Sequence, residues 1–394
     1  MANQSLFIFG LGYTSTGIAR QAQARDISVV STARRVQQFA PLASETHKLL
    51  LFDPAGKQQL NEDGMQALQQ ATYVVTSIPP VAAKLYDPVL QAQHRALREA
   101  AAAPGCQIRG LGYLSSTGKQ QQQQQQQQRM VACVYGDWQG AWVDESCEPR
   151  TATGRGVVRL EAEAAWAALA QQLQLPLTIF RLGGIYGPRR SVLHNLQTQA
   201  KPNRSAARRG EQRFTSRCHV ADVVQAVLAD MQRRRLVSST TLPAGTCEPH
   251  LQQQQQQQEE GGQGFTWPGL QVGSRYVDVI NVVDDEPAPR GDVEQYALQL
   301  LGGSQAGGLP EDRSSSSSAN QEPQQEQGSS SSSRGSRRAE VLEEKRVRND
   351  RLKAQLGVQL LAPTYREGLA AMHAGSIAPF AAEDLECLFA GGSE

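Results

Sequence analysis

SLFIFGLGYTSTG, residues 5–17, decides the fold. Four apolar residues, Leu6-Phe7-Ile8-Phe9, stop abruptly at Gly10-Leu11-Gly12. Small residues follow, Thr14-Ser15-Thr16-Gly17, and lead into the helix-forming run Ile18-Ala19-Arg20-Gln21-Ala22. The order is strand, glycine turn, helix start. In such a unit the first glycine permits the tight turn and the second lets the backbone approach a pyrophosphate. Free N–H groups at the start of the helix then face the anion. Ser15 stands where the third glycine of a GxGxxG fingerprint is expected, and is small enough for close helix–strand packing. A bare GxG also suits an ordinary strand–helix turn, so the segments downstream must decide.

They repeat the alternation. Ile27 to Thr32, Leu49 to Asp53, Ala71 to Ile78 and Gln107 to Ser116 read as strands, while Asn61 to Gln70 and Val89 to Ala103 read as helices. Alternating strands and helices predict parallel strands in an α/β, doubly wound sheet, whose ligands bind beyond the carboxyl ends of the strands. Gly10–Ser15, Arg34, Asp53, Ser77–Pro79 and Ser115–Thr117 all fall at such ends. This shared edge turns the opening motif into a dinucleotide turn. An NAD site places an acid about 20 residues beyond the glycines. Here the second strand runs instead into Ala33-Arg34-Arg35. A guanidinium there favours the extra phosphate of NADP, so NADP is expected ahead of NAD; a solvated strand end is the plainer alternative.

The 394 residues are 39% apolar and 20% charged, with a net charge of +1. That balance does not suggest a polyanion-binding protein, and no apolar run is long enough for a membrane span. The strand begins by Leu6, so no signal or transit peptide is legible. The six cysteines include no CxxC pair and the six histidines lack metal-ligand spacing. A soluble chain in a reducing compartment is expected: cytoplasmic, or an organelle such as a plastid if a transit peptide precedes the sequence. Three stretches lack the apolar residues a core needs: 119–133 with its glutamine run, 246–273 with a second one, and 302–338, rich in Ser, Gln and Gly. They read as disordered low-complexity insertions, the polyglutamine being more simply neutral expansion than function. The basic clusters Arg204–Arg213 and Arg233–Arg235 read as solvated surface rather than a nucleic-acid site, and Asp284-Asp285-Glu286 as a turn.

Several segments together resemble the short-chain dehydrogenase/reductase superfamily, and within it the extended, NAD-dependent epimerase/dehydratase-like members. They are GLGYTSTG at 10–17, FD at 52–53, LSSTG at 114–118, VYGDWQGAWVDE at 134–145, TIFRLGGIYGPRRSVL at 178–193, RCHVADVVQAVLADM at 217–231, YVDVINVVDDEPAP at 276–289 and KRVRNDRLKAQLG at 345–357. The resemblance implies a Rossmann domain over 1–245, with 274–301 and 339–375 returning to complete a smaller C-terminal substrate lobe. It implies cofactor contacts from Gly10, Gly12, Tyr13, Thr14 and Ser15, from Arg34 at the adenosine 2′-phosphate, and from Phe52 and Asp53 at the adenine. Ser77, Ile78, Pro79, Ser115, Gly183, Gly184 and Ile185 would line the rest of the dinucleotide. Tyr135, Arg217 and His219 fall on the substrate side, with Asp222 completing an HVxD-like segment; a structural role in the VYG turn suits Tyr135 as well.

The family's chemistry uses Tyr-x-x-x-Lys on a helix and an upstream Ser or Thr. None of the nine tyrosines here has a lysine four residues later. The helix GRGVVRLEAE at 154–163 matches the motif's surroundings, with Glu163 four residues beyond Arg159. That puts Arg159 at the lysine position and Arg155 at the tyrosine position. Arg159 can still bond ribose hydroxyls, but Arg155 cannot exchange a proton near neutral pH. Ser116 fits the Ser/Thr slot. The expectation is an NADP-binding oxidoreductase or epimerase-like enzyme with an altered acid–base set, its substrate a small polar or anionic molecule or a sugar nucleotide. The alternative is a non-catalytic NADP(H)-binding sensor or assembly factor. A homodimer through the helices at 89–103 and 155–173 is a further expectation.

Overall fold

The apolar runs pair into one parallel sheet. The computed structural model describes residues 4–54, 59–81, 87–116, 134–151, 154–199, 212–239, 266–267, 270–271, 276–302 and 343–390. The first half alternates strictly: β1 (Ser5–Phe9), α1 (Tyr13–Gln23), β2 (Ser28–Ala33), α2 (Val36–Phe39), β3 (His47–Leu51), α3 (Glu62–Gln70), β4 (Tyr73–Thr76), α4 (Pro88–Ala102) and β5 (Gly110–Ser116). The second half contains β6 (Trp142–Val143), α5 (Gly154–Leu173), β7 (Leu177–Leu182), β8 (Gly184–Tyr186), α6 (Val192–Gln197), β9 (Arg217–His219), α7 (Val220–Ser239), β10 (Thr266–Trp267) and β11 (Leu270–Gln271). It continues with β12 (Val277–Val282), α8 (Arg290–Leu300), β13 (Arg346–Val347), α9 (Asp350–Leu356), α10 (Tyr365–His373) and α11 (Ala382–Phe389).

Seven strands lie in the order β12-β7-β5-β4-β1-β2-β3, every pairing parallel. The chain winds outward from β1 in one direction and from β4 in the other, so the crevice between β1 and β4 is the topological switch point. Side chains alternate across the pleat. Leu6 and Ile8 enter a core with α1 and α7, while Phe7 and Phe9 enter a second core with α4 and α5. The smaller lobe gathers Leu193 of α6, Val293 and Ala297 of α8, and Tyr365 and Leu369 of α10.

Two expected boundaries move. Residues 277–282, assigned above to the smaller lobe, form β12, the edge strand of the main sheet; Ala288 and α8 beyond it join the lobe. Within 246–273, β10 and β11 form a short antiparallel pair, Thr266 opposite Gln271. The polyglutamine runs and the serine-rich stretch lie outside the described residues. Of the basic clusters, Arg233 and Arg234 are paired with Asp230 and Asp278 at 2.7–2.9 Å in a partly buried network, not the solvated surface expected. Arg204–Glu211 lie outside the described residues. Among the described residues no helix is long and apolar enough to cross a membrane.

Candidate functional site

At the switch point the chain leaves β1 through Gly10 with φ +89°, a conformation that favours glycine. A Cβ there would also lie 2.5 Å from Cγ1 of Ile78. The turn is stitched from three sides. Thr32 at the end of β2 accepts from Gly10 N–H through its hydroxyl (2.9 Å) and from Leu11 N–H through its carbonyl (2.7 Å). Ser77 Oγ beyond β4 donates to Gly10 O at 2.6 Å. Ser15 Oγ donates to Gly10 O and accepts from Gly12 N–H, both at 2.7 Å. Ser15 is therefore buried beneath the turn, and its hydroxyl is spent on holding the turn rather than offered to a ligand. The first-turn N–H groups of α1, at Tyr13, Thr14 and Ser15, have no intrahelical acceptor. Space beside Gly12 is open. A glycine cradle, free helix-terminal donors and a positive helix end together fit a pyrophosphate.

Along the same edge, Arg34 is exposed just past β2, with no ion pair among the described residues. Asp53 is half-buried beyond β3, and Pro79 likewise beyond β4. Phe52 departs from its expected place. It is 1% exposed and its ring meets Phe9 edge-on, with centroids 5.6 Å apart, so it belongs to the core under the site and does not flank an adenine.

The β5–α5 region differs more. Ser115 is buried and donates at 2.5 Å to Glu163 of α5, so its hydroxyl is spent within the frame. Glu163 accepts from the Arg181 guanidinium at 2.8 Å in a pair that is fully buried. The Arg181 guanidinium lies 5.0 Å from the Tyr135 ring centroid. Tyr135 is itself buried, donating to Asn281 Oδ1 at 2.8 Å. Burial pushes its pKa up, against the lowering effect of Arg181 and of the Asn281 bond, and with its hydroxyl spent on Asn281 it is a strut between the VYG turn and β12. Ser116 closes β5, paired in register with Leu182. Arg155 lies in the first turn of α5, and Arg159, buried, one turn later. The spacing brings the Ser/Thr-slot residue and the Tyr/Lys-slot arginines to one end of the β5–α5 unit. Thr117 lies outside the described residues.

On the other side of the crevice, β7 passes through Gly183 into β8, which pairs in parallel with β9. Gly184 faces Arg217 in that pairing and Ile185 faces Cys218. Arg217 is buried, with one guanidinium nitrogen donating to Ala288 O at 3.0 Å and the other unpartnered among the described residues. His219 is buried against Tyr186, its Nδ1 accepting from Ala221 N–H. Burial lowers its pKa to about 4, so the ring is neutral at pH 7. Asp222 accepts from the N–H groups of Leu361 and Ala362 at 2.6 and 3.2 Å, which ties α7 to the chain entering the lobe. Asp285 pairs with Lys353 at 2.6 Å and Glu286 with Arg366, while Asp284 is buried and its carboxylate has no hydrogen-bond partner among the described residues.

No family model and no curated protein sequence matches the chain. Solved structures do. A conserved protein of unknown function from Silicibacter pomeroyi is 28% identical, with a TM-score of 0.59 over 95% of this chain and 100% of that one. A candidate NAD-dependent epimerase/dehydratase from Methylobacillus flagellatus is 21% identical, with a TM-score of 0.57 over 95% and 98%. UDP-glucuronic acid 4-epimerase from Bacillus cereus, solved with NAD, is 14% identical, with a TM-score of 0.57 over 99% of both chains. The chain thus has the doubly wound, dinucleotide-binding fold of epimerases and dehydratases. The likeness is one of fold, to NAD-dependent epimerase/dehydratase-like structures; in the resemblance drawn from the sequence, Arg155 and Arg159 take the two positions of the Tyr-x-x-x-Lys pair.

Proposed function

We propose that this chain is an NADP-dependent, epimerase/dehydratase-like oxidoreductase acting on a small polar or anionic molecule or a sugar nucleotide. The observation that carries the reading is the stitched Gly10–Gly12 turn at the switch point, with Arg34 exposed at the neighbouring strand end. A guanidinium with no carboxylate partner among the described residues suits a 2′-phosphate, and the absence of an acid in the sequence at that strand end argues against ribose-diol recognition. The nicotinamide, when bound, supplies hydride transfer. Of the chain's own residues, Ser116 is assigned a hydrogen bond to the substrate oxygen, Arg159 the ribose hydroxyls, and Arg155 a substrate carboxylate or phosphate. Neither arginine can act as acid or base near neutrality, so proton transfer must come from elsewhere, the substrate or water included.

Calorimetric titration tests this directly. NADP+ should bind more tightly than NAD+, and Arg34→Ala should cost NADP+ about tenfold while sparing NAD+, the loss of one charge-assisted contact. Failure of the protein to bind either dinucleotide sinks the reading. A turnover screen over sugar nucleotides, ketones and acids then tests the chemistry, and Ser116→Ala should abolish any activity found at unchanged cofactor affinity.

A second reading, a non-catalytic NADP(H) sensor or assembly factor, draws on the tyrosines. Burial raises the pKa of Tyr13, Tyr135 and Tyr186, so none of these is a ready proton donor. It requires partner proteins whose capture changes with NADPH. Identical pull-downs with and without the cofactor count against it.

A further inference from the structure

Tyr13, the first residue of α1, reaches across the crevice and donates its hydroxyl to Pro188 O at 2.9 Å. Pro188 belongs to a tight turn between β8 and α6. Arg190 N–H closes it onto Gly187 O at 2.9 Å, and Gly187 N–H onto Arg190 O at 3.1 Å. A Cβ on Gly187 would lie 2.6 Å from Tyr13 Oη, so the glycine is what lets the turn dock there. The docked turn carries Arg190, whose guanidinium carbon lies 5.1 Å from the Tyr13 ring centroid. Arg20, Arg181, Arg233 and Arg366 each pair with a carboxylate. Arg190 is half-buried and pairs with none among the described residues. A permanent, partly desolvated cation is thus stacked on the residue that opens the pyrophosphate-facing helix, with no carboxylate partner among the described residues.

We propose that Arg190 binds the pyrophosphate of the dinucleotide, so that the anion is held by α1 from one element and by the 187–190 turn from another. The proposal rests on reading the Gly10–Gly12 turn as a dinucleotide site. Arginine suits the task because its planar fork grips two phosphate oxygens at once, and stacking on Tyr13 pre-sets the fork. The same turn leads into α6 of the smaller lobe. Cofactor binding would therefore also fasten the lobe against the sheet.

The test measures binding of NADP+, ADP-ribose and adenosine 2′-monophosphate to the full-length protein and to Arg190→Gln, with a melting temperature for each. ADP-ribose carries the pyrophosphate without the nicotinamide; the monophosphate carries neither. Arg190→Gln should weaken NADP+ and ADP-ribose by tenfold or more and leave the monophosphate unchanged. Arg189→Gln, altering the exposed neighbour, should leave all three unchanged. If Arg190→Gln fails to fold, Arg190→Lys takes its place: it keeps the charge, loses the fork, and should lose ADP-ribose several-fold. Undiminished ADP-ribose affinity in the folded variant overturns the proposal and leaves Arg190 to a substrate anion or to packing. Equal weakening of all three ligands overturns it too, because only the pyrophosphate-bearing ones should respond. Wild-type protein that binds none of the three overturns the dinucleotide reading itself, and this proposal with it.

Discussion

At the scale of single residues, most polar groups near the crevice serve the frame. Ser15, Ser77 and Thr32 spend their side chains on the turn, and Ser115 spends its own on Glu163. His47 is a further case. It is 2% exposed on β3, bonded through Nε2 to Ser31 Oγ at 2.9 Å, and burial lowers its pKa to about 4. The unfolded imidazole titrates near 6.5. Between pH 6.5 and 4 the unfolded chain therefore holds a proton that the folded one refuses. The stability from a neutral His47 is complete above pH 6.5 and is lost as pH falls, by up to about 1.4 kcal/mol per pH unit. Asp87 and Asp222 act oppositely. Burial raises both to about 6, so the stability they confer when protonated is lost as pH rises through that value. His47→Gln leaves both carboxylates in place, so the difference from wild type isolates the histidine. Urea unfolding from pH 6.5 to 4.5 should show a shallower fall for the variant; parallel curves would show that His47 is not the titrating group.

At the scale of elements, α5 is fixed to the sheet by charge as well as by packing. Glu163 and Arg181 join α5 to β7 with 0% and 1% of their side chains exposed, and Ser115 adds β5. Removing one partner strands the other in a dry interior. Glu163→Gln should cost about 3–5 kcal/mol, whereas the double change Glu163→Leu with Arg181→Met should recover most of it. Denaturant midpoints at unchanged m-value measure both, and a loss below about 1 kcal/mol in the single variant would contradict the pairing. This network also marks where the sequence stops being legible. The runs from Ser5 to Ser116 announce their strands because apolar segments end in Gly, Pro or charge. The glycine turn after β1 was readable for the same local reason. The pleat face of Ser115 was not, since alternation places a residue only once the register is known. Phe52 lies beside the edge residue Asp53, yet packing against Phe9 of β1 makes it core, and Tyr135 of the VYG turn packs into a small core with Leu160 and Val283. YVDVINV reads alike as a lobe strand or a sheet strand, and only its pairing with β7, a hundred residues earlier in the chain, decides.

At the scale of the whole molecule, the segment from Gly375 to Phe389 closes over the first βα unit. Pro379 packs against Gly17, Phe380 lies 5.0 Å from the Tyr13 ring centroid, and Asp384 forms a bidentate pair with Arg20 at 2.8 Å. Asp384 Oδ2 also accepts from Ala381 N–H, so one carboxylate both starts α11 and moors it. Asp384→Ala should loosen α11 selectively. Hydrogen exchange should rise over 382–389 and the outer face of α1 while β4 and β5 keep their protection; unchanged exchange in α11 would refute the mooring. Arg20 and Asp384 are 364 positions apart, with both glutamine runs and the serine-rich stretch between them. During synthesis, then, α1 is made early and its outer face waits uncovered until α11 emerges. A nascent chain carries that apolar surface through the whole production of its low-complexity segments, the interval in which chaperone binding or misassembly has its opening.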